Sequence, residues 1–114
     1  MIQIKGVDSR MIANNLTPYE PTHPGELLKE EIVYRGISQR KIAKQMGMAY
    51  SVLNEVLNCK HPVTTQYAIL FEAALDIESE MLIRMQTDYD LQMIRQNNSW
   101  RERLANIKKT VAVL

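Results

Sequence analysis

The sequence predicts an all-α protein built around a helix-turn-helix, and three observations predict it. From Leu27 onward apolar residues recur at three- and four-residue intervals, the period of a half-buried helix. Serine, threonine and proline stand where these stretches begin, and glycine ends the first two, as helix caps require. Between Ser38 and Asn58, two stretches of about two turns each are joined through Gly47. At 114 residues, with 46% hydrophobic and 24% charged, the chain has room for one compact domain with short extensions, not for a two-domain enzyme.

Residues 1–21 read as an arm. Ile2 and Ile4 alternate with Gln3 and Lys5, as in a short strand, and Asp8 can cap a turn or two through Met11-Ile12-Ala13. Thr17-Pro18-Tyr19-Glu20-Pro21 must run extended, because proline disfavours helix in the residue before it. The first core helix opens at Pro24, where the missing N–H has no partner to lose; His23 takes the cap position and Glu26 faces the positive dipole end. Leu27, Leu28, Glu31, Ile32 and Arg35 mark its stripe, and Gly36 stops it. Ser38 caps a second helix, Gln39 to Met46, with Ile42, Ala43 and Met46 inward, and Gly47 supplies a residue that tolerates positive φ. A third runs from about Tyr50 to Asn58 and buries Leu53, Val56 and Leu57. Thr64 or Thr65 caps a fourth, with Ala68, Phe71 and Leu75 inside, which Asp76 interrupts. Ser79 caps a fifth through Met81, Leu82, Met85 and Tyr89. After Asn97-Asn98-Ser99, Trp100, Leu104, Ile107, Val111 and Leu114 alternate at intervals of four and three, a seam too short to hold alone.

A net charge of +1 hides a segregation. Glu20–Gly36 and Phe71–Asp90 are acidic, the latter with six carboxylates against Arg84; Ser38–Thr65 and Arg95–Lys109 are basic. Each block is either a solvated face or a partner surface. The stretch Cys59–Phe71 is broken by Lys60, His61, Pro62, Thr64, Thr65 and Gln66, so nothing in it spans a bilayer. Met1 to Lys5 lack a signal peptide's apolar core, and a lone Cys59 cannot form an internal disulfide framework. The expectation is a cytoplasmic protein.

The run His23-Pro24-Gly25-Glu26-Leu27-Leu28, then Ile37-Ser38-Gln39, Ile42-Ala43, Met46-Gly47, Leu53-Asn54-Glu55-Val56-Leu57-Asn58 and Val63-Thr64-Thr65, resembles the HigA-type antitoxins of the Cro/repressor-type (XRE) helix-turn-helix superfamily. The likeness continues through Ala68, Phe71-Glu72-Ala73-Ala74-Leu75 and Met85 to Leu91. It implies a five-helix DNA-binding domain over residues 22–91, with residues 1–21 as an N-terminal arm and 92–114 as an additional C-terminal helix. It also implies dimers, binding to the protein's own operator, and neutralisation of a ribonuclease toxin of the HigB/RelE kind. Three positions depart from the family pattern. Ala49-Tyr50-Ser51-Val52 stands where a small polar residue and arginine are usual, and Cys59 and Asp76 replace common glycines.

The second helix of such a motif enters the major groove with its N-terminal residues against base edges. That assigns Tyr50, Ser51 and Asn54 to base contact, with Ala49 close enough for a thymine methyl. Ser38 and Gln39 open the preceding helix, whose N–H groups suit a phosphate, while Arg40, Lys44 and Lys60 are candidate phosphate neutralisers. Alternatives stand beside each role: Ser38 caps a helix with or without DNA, Asn54 can face the fourth helix, and Tyr50 can pack over the turn. Without arginine at 50–52, weaker guanine readout and more reliance on phosphates follow.

No catalytic or metal site is expected, and no cofactor. Cys59-Lys60-His61 offers at most two ligands where a site needs three or four. Glu30-Glu31 and Asp88–Asp90 have no companion histidine, and the four glycines are too scattered to cradle a phosphate. The acidic blocks and the arm, through Ile2, Ile4, Ile12, Leu16 and Tyr19, are the candidate toxin contacts. The last helix has three readings: dimerisation, back-packing on Met81 and Met85, or a second DNA contact through Arg101, Arg103, Lys108 and Lys109; the first two are favoured by its apolar end. Two other classes remain open: a stand-alone repressor without a toxin, and a protein-interaction module that has lost DNA readout.

Overall fold

The computed structural model describes residues 21–114, so the expected arm lies, but for Pro21, outside the described residues. Six helices follow in order: α1 (Pro24–Tyr34), α2 (Gln39–Met46), α3 (Tyr50–Leu57), α4 (Thr65–Leu75), α5 (Ser79–Gln96) and α6 (Asn98–Ala112). Among the described residues there is no strand. The inward faces of α1 to α5 meet in one core, where Leu28, Leu53, Val56, Phe71, Leu75 and Leu82 are shut off from solvent. These are the residues that the three-and-four spacing picks out.

Local chemistry sets the helix ends. The Ser38 and Thr64 hydroxyls accept the N–H groups of Lys41 and Tyr67, at 3.3 and 3.2 Å. Helices α1, α2 and α3 share one C-terminal device, in which an N–H beyond the end returns to a carbonyl five residues back. Ile37 bonds Ile32 at 3.0 Å, Met48 bonds Ala43 at 2.9 Å, and Lys60 bonds Glu55 at 2.8 Å. Each bond needs a left-handed residue in between, and these are Gly36, Gly47 and Cys59, with φ of 68°, 70° and 63°. Only the third carries a Cβ that crowds its carbonyl. Cys59→Gly is therefore expected to raise stability by about 0.5–1 kcal/mol, read from the urea midpoint. A lower midpoint would mean that the half-buried thiol contributes more than the strain costs. Asp76 takes the same conformation after α4, at φ 58°, where its short polar side chain is tolerated.

Side chains then tie the ends together. Arg35 donates from Nη2 to the Leu75 carbonyl at 2.8 Å and from Nε to Glu31 at 3.0 Å, joining the end of α1 to that of α4. Gln86 is buried, yet both ends of its amide are used: Oε1 accepts the Val63 N–H at 2.8 Å, and Nε2 donates to Asp90 at 2.9 Å. This pins the loop after α3 onto α5. His23 is buried too, accepts the Gly25 N–H on Nδ1 at 2.9 Å and stands edge-on to Tyr89 at 4.9 Å. Burial lowers its pKa, against the raising influence of Asp90 and Glu26. A proton on Nδ1 would remove the cap. The unfolded chain takes up that proton near 6.5, before the folded one does. Stability is thus full above the unfolded value and falls as pH drops below it toward the lowered folded value. Urea midpoints measured across that window should fall with pH, and His23→Asn, which keeps a cap without a titrating group, should flatten the fall.

Two expectations about the C-terminal third are corrected. Ser79 is the first residue of α5, not its cap; Glu78 holds the cap position without a side-chain bond. Buried at that point, the Ser79 hydroxyl donates to the Glu80 carboxylate at 3.3 Å instead of accepting a backbone N–H. The last helix does not fold back on Met81 and Met85, since none of its side chains is buried. A single residue, Asn97, closes α5 and opens α6, with its side chain accepting the Trp100 N–H at 3.1 Å. Antiparallel helix pairs need about two to five linking residues, so α6 cannot return along α5. Helix α5 itself runs on past Leu91 to Gln96, because no glycine or proline interrupts it. No helix among the described residues is long and apolar enough to cross a membrane.

Candidate nucleic-acid interface

Helices α2 and α3 meet through the left-handed turn at Gly47, with Ile42, Ala43 and Met46 of the first and Leu53, Val56 and Leu57 of the second turned into the core. Their opposite faces are left to solvent. Ser38, Arg40, Lys44, Ala49, Ser51 and Lys60 are exposed, while Gln39, Tyr50 and Asn54 are half-buried. Among the described residues Arg40, Lys41, Lys44 and Lys60 pair with no carboxylate; the ion pairs there join Arg35 to Glu31 and Arg84 to Glu78. Cations held without carboxylate partners can approach phosphate without first breaking a pair.

The start of α3 is open. Ala49 holds the cap position in extended backbone, with φ −63° and ψ 137°, and offers no side chain to the first N–H groups. Tyr50 lies against the edge of the core, and the Arg40 guanidinium stands 4.1 Å from its ring centroid. Half-buried, the Tyr50 ring packs on the core's edge and forms a platform for Arg40. Ser51 points to solvent at the same end, and Asn54 follows one turn further along. Ser38 has its cap bond whether or not anything binds there.

Two features of this face were not visible in the sequence. The stacking of Arg40 on Tyr50 spans two helices, and no motif announces it. Lys29, on the acidic first helix, donates from Nζ to the Asn58 side chain at 3.1 Å, which puts a cation at the far end of α3. Asn58 in turn donates to the Asn54 carbonyl at 2.8 Å. Only the packing of α1 on α3 brings these residues together. Behind the face Gly25 permits that packing, because a Cβ there would land on the Val56 carbonyl oxygen.

Around Cys59 the burial of the thiol raises its pKa, with the charge of Glu26 adding to the effect, so it holds its proton more tightly than a free thiol. No group of three or more histidine, cysteine or carboxylate side chains stands together to hold a metal ion among the described residues.

No protein-family model matches the chain. Over 76 residues it is 32% identical to virulence-associated protein I of Dichelobacter nodosus, covering 66% of this chain and 70% of that protein. Among solved structures, antitoxin GraA superposes with a TM-score of 0.65 at 31% identity, over 69% of this chain and 86% of its own. The Pseudomonas aeruginosa antitoxin HigA, solved with the higBA promoter, superposes with a TM-score of 0.65 at 22% identity, over 71% and 89% of the two chains. At that identity the last likeness speaks to the fold alone.

Proposed function

The chain belongs to the family of HigA-type antitoxins, and from that premise we propose that it is a DNA-binding antitoxin, a dimer that represses its own operon and neutralises a ribonuclease toxin of the HigB/RelE kind. The observation that carries this reading is the α2–α3 face: a helix-turn-helix whose second helix starts uncapped in solvent, flanked by cations without carboxylate partners among the described residues. In this reading the first turns of α3 enter the major groove. The Tyr50 hydroxyl, Ser51 and Asn54 meet base edges, and Ala49 lies beside a thymine methyl. Arg40 reaches a phosphate from its platform on Tyr50. Lys44 and Lys60 neutralise others, and the start of α2 at Ser38 and Gln39 turns N–H groups toward the backbone. The exposed carboxylates Asp76, Glu78, Glu80 and Asp88 supply the field that steers a basic toxin.

Fluorescence anisotropy against the DNA upstream of its own gene, at two salt concentrations and with a scrambled duplex as control, tests this. Affinity should favour the upstream duplex and fall linearly in log salt, by about 0.9 per phosphate neutralised. Equal, weak binding to both duplexes would overturn the regulator and leave a protein-interaction module.

A further inference from the structure

Helix α6 presents Trp100, Leu104, Ile107 and Val111 along one line, and between 41% and 59% of each is exposed. Their spacing of four and three is that of a seam meant for another helix.

The charges beside the seam select its occupant. Arg101, Arg103 and Lys108 flank it, so two α6 helices laid side by side would set cation against cation. A basic toxin would be repelled for the same reason. The described part of this chain also offers a complementary surface, on the outer half of α5. There Leu91 and Ile94 are exposed and follow one another at helical spacing, with the carboxylates of Asp88 and Asp90 beside them. The second already accepts from Gln86, and Arg95 stands in the last turn, so that the surface keeps a net negative charge. Helix α6 does not run back along its own α5, because Asn97 alone links the two helices and no side chain of α6 is buried. We propose that the dimer is held by exchange: α6 of each copy lies along the outer half of α5 of the other, apolar seam on apolar seam and basic flanks on acidic ones. The arrangement is isologous, so one two-fold axis makes the same contact twice and covers both seams of each copy. It rests on the dimeric reading above and adds which surfaces make the dimer.

Sedimentation equilibrium of the full chain tests it with two variants, Arg101→Glu/Arg103→Glu and Asp88→Lys, with circular dichroism to confirm that helix content is kept. Each variant alone should dissociate at least about tenfold more readily than the original, since each sets like charges together. Mixed in equal amounts they should recover a dimer of near-original strength, because α6 of either copy then meets an α5 of opposite charge. Pairing of α6 with α6 requires the opposite sign for Arg101→Glu/Arg103→Glu, which would relieve repulsion and tighten the dimer; that result overturns the exchange. A dimer indifferent to both variants overturns it as well and leaves the dimeric reading standing. A monomeric original chain overturns both.

Discussion

Gly25→Ala is expected to destabilise the protein by about 3 kcal/mol, lowering the thermal midpoint by roughly 12–24 °C. The substitution would ordinarily favour a helix, since alanine is the better helix former by about 1 kcal/mol. Space decides against it. The added Cβ lands on the Val56 carbonyl oxygen and presses against His23 Nδ1, which caps the same helix. A backbone carbonyl cannot swing aside as a side-chain end can, so α1 must lift from α3 and open the contact between two core helices. The control is Gly36→Ala. Nothing lies near a Cβ at that position, but φ is 68°, so only the left-handed strain remains, about 1–2 kcal/mol. Equal losses in the two variants would mean that α1 and α3 are not in close contact at Gly25.

Why Gly25 escapes a sequence reading shows where such reading stops. Signals confined to a few neighbouring residues were legible: Ser38 as a cap, Thr64 or Thr65 as another (the structure takes Thr64), Gly36 and Gly47 as left-handed stops, and the inward spacing of Ile42, Ala43 and Met46. The glycine-to-cysteine and glycine-to-aspartate departures could also be located, and both residues adopt the conformation glycine would have held. What failed was anything set by a distant partner. Ser79 has the composition of a cap, but its burial leaves that position to Glu78. The fate of α6 turned on one residue of linker length rather than on its apolar pattern. On the candidate interface the residue types could be read from the helix-turn-helix register, but their support could not. The guanidinium of Arg40 on Tyr50 and the ammonium of Lys29 on Asn58 are contacts between helices.

Tyr50→Ala with Asn54→Ala is expected to lower the preference for the upstream duplex over a scrambled one by about 30-fold or more, on the scale of 1–3 kcal/mol for each side chain withdrawn from a base edge. The fold should survive, because both side chains are only half-buried and neither belongs to the closed core. The two positions should act differently, and this is where the structure refines the expectation. Asn54 stands one turn inside α3 and would act on sequence preference alone. Tyr50 lies under Arg40, so its loss should also free that guanidinium and reduce the slope of log affinity against log salt by about one phosphate. Tyr50→Phe separates the ring from the hydroxyl: it keeps the platform, hence the salt slope, and gives up only what the hydroxyl reads. A double-mutant cycle between Arg40→Ala and Tyr50→Ala should accordingly be non-additive, as expected for groups that touch. If the double variant at 50 and 54 is folded and still prefers the upstream duplex as strongly as the original chain, these side chains do not read the groove, and the preference comes from the shape of the DNA held by the phosphate contacts of Ser38, Arg40, Lys44 and Lys60.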